Sequence, residues 1–259
     1  MKQRVITAVI ALAALFLVLF VLPKQVALLV IVAAMLAGAW EWSAFLELSG
    51  SIGRIAYVAA IGALLAGVSF LQIDAQLILK VSLVWWLLAL IWTFFFPTPV
   101  PTVLRWLAGA AVLVPLYVAL IILYDASPTI LLFALLIVWV ADSGAFFAGK
   151  MLGRVKLAPK ISPGKTWEGV IGGLLAVVLL TLLRSLWIET DLAVFLPFCL
   201  AVACLSIVGD LTVSMFKRTA GLKDSGGLFP GHGGVLDRID SVAAAAPLFA
   251  LGVSWAGLK

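Results

Sequence analysis

The residue types best suited to chemistry are concentrated between Ser214 and Asp240, in a segment flanked by two long apolar runs. The segment holds four basic residues, three carboxylates, six glycines and the single histidine of the chain. Basic side chains neutralise phosphates, carboxylates hold hard cations, and glycines let backbone amides approach an anion closely. This combination predicts phosphoryl or nucleotidyl transfer. The substrate-binding candidates of the segment are Ser214, Lys217, Arg218, Lys223, Asp224, His232 and Arg238.

Asp210 lies about one turn before the end of the preceding apolar run, and Ser214 and Lys217 follow it at i+4 and i+7 on the same helical face. A carboxylate inside a membrane span is costly, so it indicates a functional role. A structural alternative remains open, in which Asp210 pairs with Lys217 or Arg218 to seat the end of the helix.

Asp237 and Asp240 precede the last apolar run. Two carboxylates from different helices, Asp210 and Asp237, could converge on a divalent cation. For both aspartates the alternative is a structural role at the helix start, because capping and the helix dipole both favour aspartate there, and at Asp240 the N-cap position is contested by Ser241. His232 is either a general base or a hydrogen-bond partner of a phosphate or a backbone carbonyl.

A second polar segment covers residues 141–169. Asp142 lies near the end of the apolar run before it, and Glu168 begins the run after it. We therefore expect both acids at the membrane depth of Asp210. Two further side chains are placed to bind phosphate beside them, Lys165 and Ser162.

The triplet at residues 164–166, Gly-Lys-Thr, is not a Walker A loop. Pro159 stands where the first glycine of that motif belongs, and no strand is predicted before it. The remaining basic residues of the segment are assigned mainly to topology or to anionic lipid headgroups: Lys150, Arg154 and Lys156.

The composition is that of a membrane protein. The chain of 259 residues is 65% hydrophobic and 11% charged, with a mean hydropathy of +1.25, whereas soluble domains have about 25% charged residues. The net charge of +5 sits in short loops, which argues against a nucleic-acid-binding surface. We predict an all-α, polytopic protein with a single membrane domain over residues 1–259.

Nine apolar runs are long enough to cross a hydrocarbon core of about 30 Å. With a cytoplasmic N-terminus, they place 13 of the 17 lysines and arginines on the cytoplasmic side, as the positive-inside rule favours, and the C-terminus on the other side. The first run is interpreted as a span and not as a secretory signal. The predicted spans are 5–22, 26–46, 55–73, 76–96, 104–123, 128–148, 167–188, 192–214 and 240–258.

Both polar segments carry motifs of one family. The first reads Ser214-x-x-Lys217-Arg218, Lys223-Asp224, Pro230-x-His232-Gly233-Gly234 and Asp237-Arg238-x-Asp240; the second reads Ala141-Asp142-Ser143-Gly144-Ala145 and Ser162-Pro163-x-Lys165-Thr166-x-Glu168-Gly169. Position for position, these resemble the signatures of the phosphatidate cytidylyltransferases, also called CDP-diacylglycerol synthases. Residues 126–259 are therefore interpreted as the catalytic helices and loops, whereas residues 1–125 carry no recognisable motif.

The resemblance implies an enzyme that forms CDP-diacylglycerol and pyrophosphate from CTP and phosphatidic acid. It implies catalytic roles for Asp210, Lys217 and Asp237, with Asp210 and Asp237 at a Mg²⁺ site, a second metal ion being left open. It also implies a multi-pass protein of the inner membrane, with membrane lipids around it and the active site on the cytoplasmic face. A homodimer is left open.

Two other functions are weighed. An anion transporter would also place charges inside spans, but transporter sites usually lie near the midplane between internal repeats, and no repeat is evident here. A CDP-alcohol phosphotransferase would need aspartates spaced along adjacent helical turns after an Asp-Gly pair, and that pattern is absent.

Overall fold

The computed structural model of the protein describes residues 2–48, 50–227 and 233–253. Within these ranges the chain forms nine α-helices, one 3₁₀ turn and one β-hairpin, so the predicted all-α membrane fold is confirmed. The helices are α1 (Lys2–Phe20), α2 (Lys24–Trp42), α3 (Gly50–Phe70), α4 (Ala75–Phe94), α5 (Thr102–Ala126), α6 (Pro128–Leu152), α7 (Trp167–Ser185), α8 (Leu192–Thr219) and α9 (Leu236–Gly252).

Seven of the described helices, α2 to α8, are long and apolar enough to cross a membrane. Their outer surfaces carry large exposed apolar side chains such as Leu87, Ile91 and Leu175. Such a surface is suited to hydrocarbon, because a helix satisfies its backbone hydrogen bonds internally and needs no water. Each of the nine predicted spans corresponds to one helix, although α9 has only 17 described residues.

Two helix boundaries near the chemistry differ from the predicted spans. Helix α8 continues to Thr219, beyond the predicted end at 214, and α9 begins at Leu236, before the predicted start at 240. The apolar runs end where charged residues begin, but the helices continue past that point. Residues 254–258 of the last predicted span lie outside the described residues.

Helix α9 is the central helix, because α2, α4, α5, α6 and α8 all pack against it. The run Ala243–Ala246 is buried along its length. Small side chains let neighbouring helices approach closely, which is how helices associate in membranes. The N-terminal helices therefore surround an element that carries part of the predicted site.

Helices α6 and α7 pack through small residues. A Cβ atom on Gly169 would lie 2.9 Å from the carbonyl oxygen of Ala145, and one on Gly173 would lie 2.6 Å from that of Ala141. The Gly-x-x-x-Gly pair predicts a close helix contact, within the chain or between two copies. The structure uses it within the chain.

A two-stranded antiparallel hairpin joins α6 to α7 and was not predicted. Its strands are β1 (Lys156–Ala158) and β2 (Ser162–Thr166), with Lys156 opposite Thr166. Such short strands, with lysine, proline and glycine in them, show no apolar alternation. The expectation of no strand near the Gly-Lys-Thr triplet is therefore wrong. The Gly-Lys-Thr triplet at residues 164–166 lies inside β2 and not in a phosphate-binding loop. It is therefore still excluded as a Walker A loop.

Candidate active site

The first ion pair of the site joins the hairpin to α8. Lys165, at the end of β2, places its Nζ atom 2.5 Å from the Oδ2 atom of Asp210. The Ser214 hydroxyl donates to the Oδ1 atom of Asp210 at 3.1 Å, which confirms that these two residues share a helical face. The alternative in which Asp210 pairs with Lys217 or Arg218 is wrong. Its ion-pair partner is Lys165, which comes from another segment.

The second ion pair joins α8 to α9. The Nζ atom of Lys217 donates to the Oδ1 atom of Asp237 at 2.8 Å and lies 3.8 Å from the Oδ2 atom of Asp240. The side chains of Lys217 and Asp237 are each only 9% exposed. Two further donors reach Asp237, the backbone amides of Ser225 at 3.0 Å and Gly234 at 2.9 Å. Asp237 thus joins both helices and the loop between them.

The capping alternative for Asp240 and Ser241 is wrong. Helix α9 begins at Leu236, so Asp240 lies in its second turn, and its Oδ1 atom accepts from the amide of Ser241 within the helix. The buried side chain of Asp240 faces Lys217. Asp240 therefore belongs to the charged cluster between α8 and α9.

The N-terminus of α9 is capped from another helix. Glu41, near the end of α2, accepts hydrogen bonds from the backbone amides of Val235 at 2.9 Å and Leu236 at 2.7 Å, and from the hydroxyl of Ser225 at 3.0 Å. Sequence reasoning missed Glu41. The signal was present, because Glu41 is a carboxylate within an apolar run, the same feature that singled out Asp210.

A cavity of about 370 Å³ opens between α6, α7 and α8 beside the hairpin. Its polar lining includes Asp142, Lys165 and Asp210, so the structure brings three predicted residues together. Much of the remaining wall is apolar, with Phe146, Val170, Leu174 and Ile207 among its members. A cavity with charged groups and apolar walls matches an amphiphile, whose headgroup and chain need different surroundings.

Two predicted substrate-binding residues are engaged by backbone. Glu168 accepts from the amide of Val155 at 3.1 Å, at the base of the hairpin. Arg218 donates to the carbonyl oxygens of Ile161 at 3.1 Å and Leu222 at 3.2 Å. Both side chains hold loops in position in this structure.

The other predicted residues lie around these pairs. Ser162 begins β2 and is half-buried, whereas Lys223 and Asp224 are exposed in the turn after α8. Arg238 is exposed in the first turn of α9. His232 lies outside the described residues.

The Asp210 carboxylate is compatible with Mg²⁺ bound together with a phosphate. The described part of the chain contains no group of three or more histidine, cysteine, aspartate or glutamate side chains that could hold a metal ion. Mg²⁺ commonly binds one or two carboxylates plus substrate phosphates and water. Lys165 and Ser214 donate to Asp210. Because a carboxylate has about four acceptor positions, these two bonds leave room for a cation. The magnesium assignment stays a prediction.

Fold and site together define a polytopic helical membrane protein with lysine–carboxylate pairs that could serve group transfer at one end of its helices. The family model described as "Cytidylyltransferase family" matches residues 2–255, and the chain belongs to this family.

Curated relatives agree with this assignment. The chain is 42% identical to a protein of Pseudomonas aeruginosa named "Phosphatidate cytidylyltransferase", over 96% of each chain. It is 37% identical to a Haemophilus influenzae protein of the same name, over 96% of this chain and 97% of the relative. A Staphylococcus aureus protein of that name is 46% identical over 120 residues, which is 46% of each chain.

Proposed function

We propose that the protein is a CTP:phosphatidate cytidylyltransferase, which transfers the cytidylyl group of CTP to phosphatidic acid and releases pyrophosphate. Family membership and the names of the full-length relatives support the reaction. The observation that carries the proposal in this chain is the pair of ion pairs, Lys165–Asp210 and Lys217–Asp237, with a charged and apolar cavity beside the first.

The chemistry mainly needs charge neutralisation. A phosphate oxygen of phosphatidic acid forms a bond to the α-phosphorus of CTP, and the bond from that phosphorus to the pyrophosphate oxygen breaks. Lys165 and Lys217 are placed to stabilise the phosphate charges. Electrostatic stabilisation of this kind is usually the largest single contribution to the rate of such reactions. Mg²⁺, when bound by Asp210 and Asp237, supplies further positive charge to the phosphates.

The resting ion pairs keep both lysines oriented before substrate arrives. An incoming phosphate can take the place of a carboxylate as the lysine's partner, since both are oxygen anions. The carboxylate that is released then has free oxygen atoms for a hard cation. Phosphatidic acid reaches the cavity laterally from the lipid, and CTP reaches it from water.

We place the site at the cytoplasmic face of the inner membrane. Contacts such as Glu41 with Ser225 and Lys165 with Asp210 gather the end of α2, the loop after α8 and the hairpin on one side. The ion pair of Lys24 with Asp125 joins the opposite ends of α2 and α5. The excess of lysine and arginine on the active end supports a cytoplasmic orientation. A homodimer remains a prediction.

The test is a reconstituted reaction. Purified protein with CTP, phosphatidic acid and Mg²⁺ is expected to release pyrophosphate and form CDP-diacylglycerol in equal amounts, and to release none when phosphatidic acid is omitted. An anion transporter would instead move a labelled anion across proteoliposomes without product. A CDP-alcohol phosphotransferase would release CMP from a CDP-lipid. Either result without pyrophosphate release from CTP would overturn the proposal.

A further inference from the structure

We propose that Glu41 is a positioning residue of the active site, acting from α2 to hold Asp237 against Lys217. The proposal rests on the transferase reaction proposed above. The Glu41 side chain belongs to the half of the chain that carries no family motif, and the residue is only 7% exposed. Its three hydrogen-bond donors lie 184, 194 and 195 residues further along the chain.

The carboxylate lies at a helix start that has no cap of its own. Val235 occupies the N-cap position of α9 and makes no side-chain capping bond. The first amides of a helix lack intrahelical acceptors, and the helix dipole favours a negative charge there. Glu41 therefore satisfies the amides of Val235 and Leu236 and places a charge where the dipole stabilises it.

Two glycines make this approach possible. A Cβ atom on Gly226 would collide with the Oε1 atom of Glu41, and a Cβ atom on Gly234 would collide with its Oε2 atom. Both segments of the loop thus lie directly against the carboxylate. Because any side chain at these two positions would force the carboxylate away, the glycines are explained by contact with Glu41.

The same two loop segments that bind Glu41 also bind Asp237. Ser225 donates from its hydroxyl to Glu41 and from its amide to Asp237, both at 3.0 Å. The amide of Gly234 donates to Asp237 at 2.9 Å, and the amide of the next residue, Val235, donates to Glu41 at 2.9 Å. Glu41 and Asp237 are therefore coupled through Ser225 on one side and through the adjacent amides of Gly234 and Val235 on the other.

Helix α2 is anchored by Trp42, the residue after Glu41. Trp42, the neighbour of Glu41, donates its indole N–H to the carbonyl oxygen of Arg105 at 3.0 Å and packs on Phe216 with ring centroids 5.1 Å apart. Phe216 directly precedes Lys217 on α8. Helix α2 thus packs against α8 next to Lys217 and binds the loop residue that holds Asp237.

The main test is a double-mutant cycle with Glu41→Gln and Asp237→Asn. Glutamine keeps one acceptor oxygen and the size of the side chain but removes the charge and faces backbone donors with an amide. We expect Glu41→Gln to lower kcat about 10- to 100-fold, as loss of a supporting residue typically does, with a smaller change in KM for CTP. In the double variant, kcat is expected to equal that of Asp237→Asn alone, because coupled residues are not additive.

Glu47→Gln is the matched control, since Glu47 is an exposed carboxylate close in sequence, paired with Arg105 and outside the catalytic pairs. We expect wild-type kcat for it. Equal losses in Glu41→Gln and Glu47→Gln, or additive losses in the double variant, would overturn the proposal. Inactive wild-type protein would instead count against the proposed reaction.

Two further measurements test the contacts of Glu41, one through activity and one through hydrogen exchange. Ser225→Ala removes one of the three bonds to Glu41 while keeping the backbone amide that binds Asp237. We expect a smaller loss of kcat than in Glu41→Gln. In Glu41→Gln, hydrogen exchange at the amides of Val235 and Leu236 is expected to be faster, with exchange in α7 unchanged. Unchanged exchange at both amides would contradict the role of Glu41 at the start of α9.

Discussion

At the scale of single residues, the charged groups of the site differ in how far burial constrains them. Lys217 and Asp237 are nearly enclosed, each with a 9% exposed side chain, whereas Lys165 and Asp210 keep about a quarter of their side chains exposed. Removing one partner of a buried ion pair leaves an uncompensated charge and costs about 3–5 kcal/mol. The two pairs should therefore respond differently to neutralisation.

Neutralising the carboxylates separates catalysis from stability. Asp210→Asn and Asp237→Asn are both expected to lose most pyrophosphate release, because neither asparagine can hold a cation as a carboxylate does. The thermal unfolding temperature in detergent should fall more for Asp237→Asn, because the Lys217 charge would be left buried. Residual activity in either variant should need more Mg²⁺. Near-normal turnover at ordinary Mg²⁺ in either would contradict the metal assignment.

Neutralising the lysines tests phosphate binding. Lys165→Gln and Lys217→Gln are expected to raise the KM for CTP or phosphatidic acid at least about tenfold, since charge-assisted hydrogen bonds contribute about 1.5–3 kcal/mol. Lys150→Gln is the control, because Lys150 is exposed in the last turn of α6 on the same side. Equal, small effects at all three positions would indicate that the basic residues serve topology alone.

At the scale of helices and strands, the site depends on how closely α8 and α9 approach. Gly209, the neighbour of Asp210 on α8, lies against the carbonyl oxygen of Asp240 on α9. A Cβ atom added to Gly209 would also lie 3.0 Å from the Cβ atom of Ala244. The hairpin makes a comparable contribution from the other side, because it places Lys165 against α8. The ion pairs thus require a glycine at one contact and two short strands at another.

A single methyl group at this contact should disturb both packing and activity. Gly209→Ala would force α8 and α9 apart, and overpacking of this kind costs about 1–3 kcal/mol. We expect a lower unfolding temperature and a lower kcat. Gly67→Ala is the control, because nothing lies within 4 Å of an added Cβ on α3, and alanine favours a helix by about 1 kcal/mol. If both variants behaved alike, the close contact of α8 with α9 would be unimportant.

At the scale of the whole molecule, sequence reasoning located the charged residues but not their partners. Asp210, Lys217 and Asp237 stand out because they interrupt or border apolar runs. The pairing of Asp210 with Lys165 depends on a hairpin whose strands are too short to show a pattern. Glu41 stands out as much as Asp210, but its partners lie far along the chain, and only the packing of α2 against α9 brings them together.

The arrangement of the helices also predicts which loops share a side of the membrane. Lys223 is exposed in the turn after α8, and Glu189 is exposed in the connection between α7 and α8, at the opposite end of α8. In protein with Cys199 and Cys204 replaced by serine, we expect an impermeant maleimide to label Lys223→Cys only in inverted vesicles and Glu189→Cys only in right-side-out vesicles. The reverse pattern would place the active site on the outer face, and labelling of both from one side would contradict the fold.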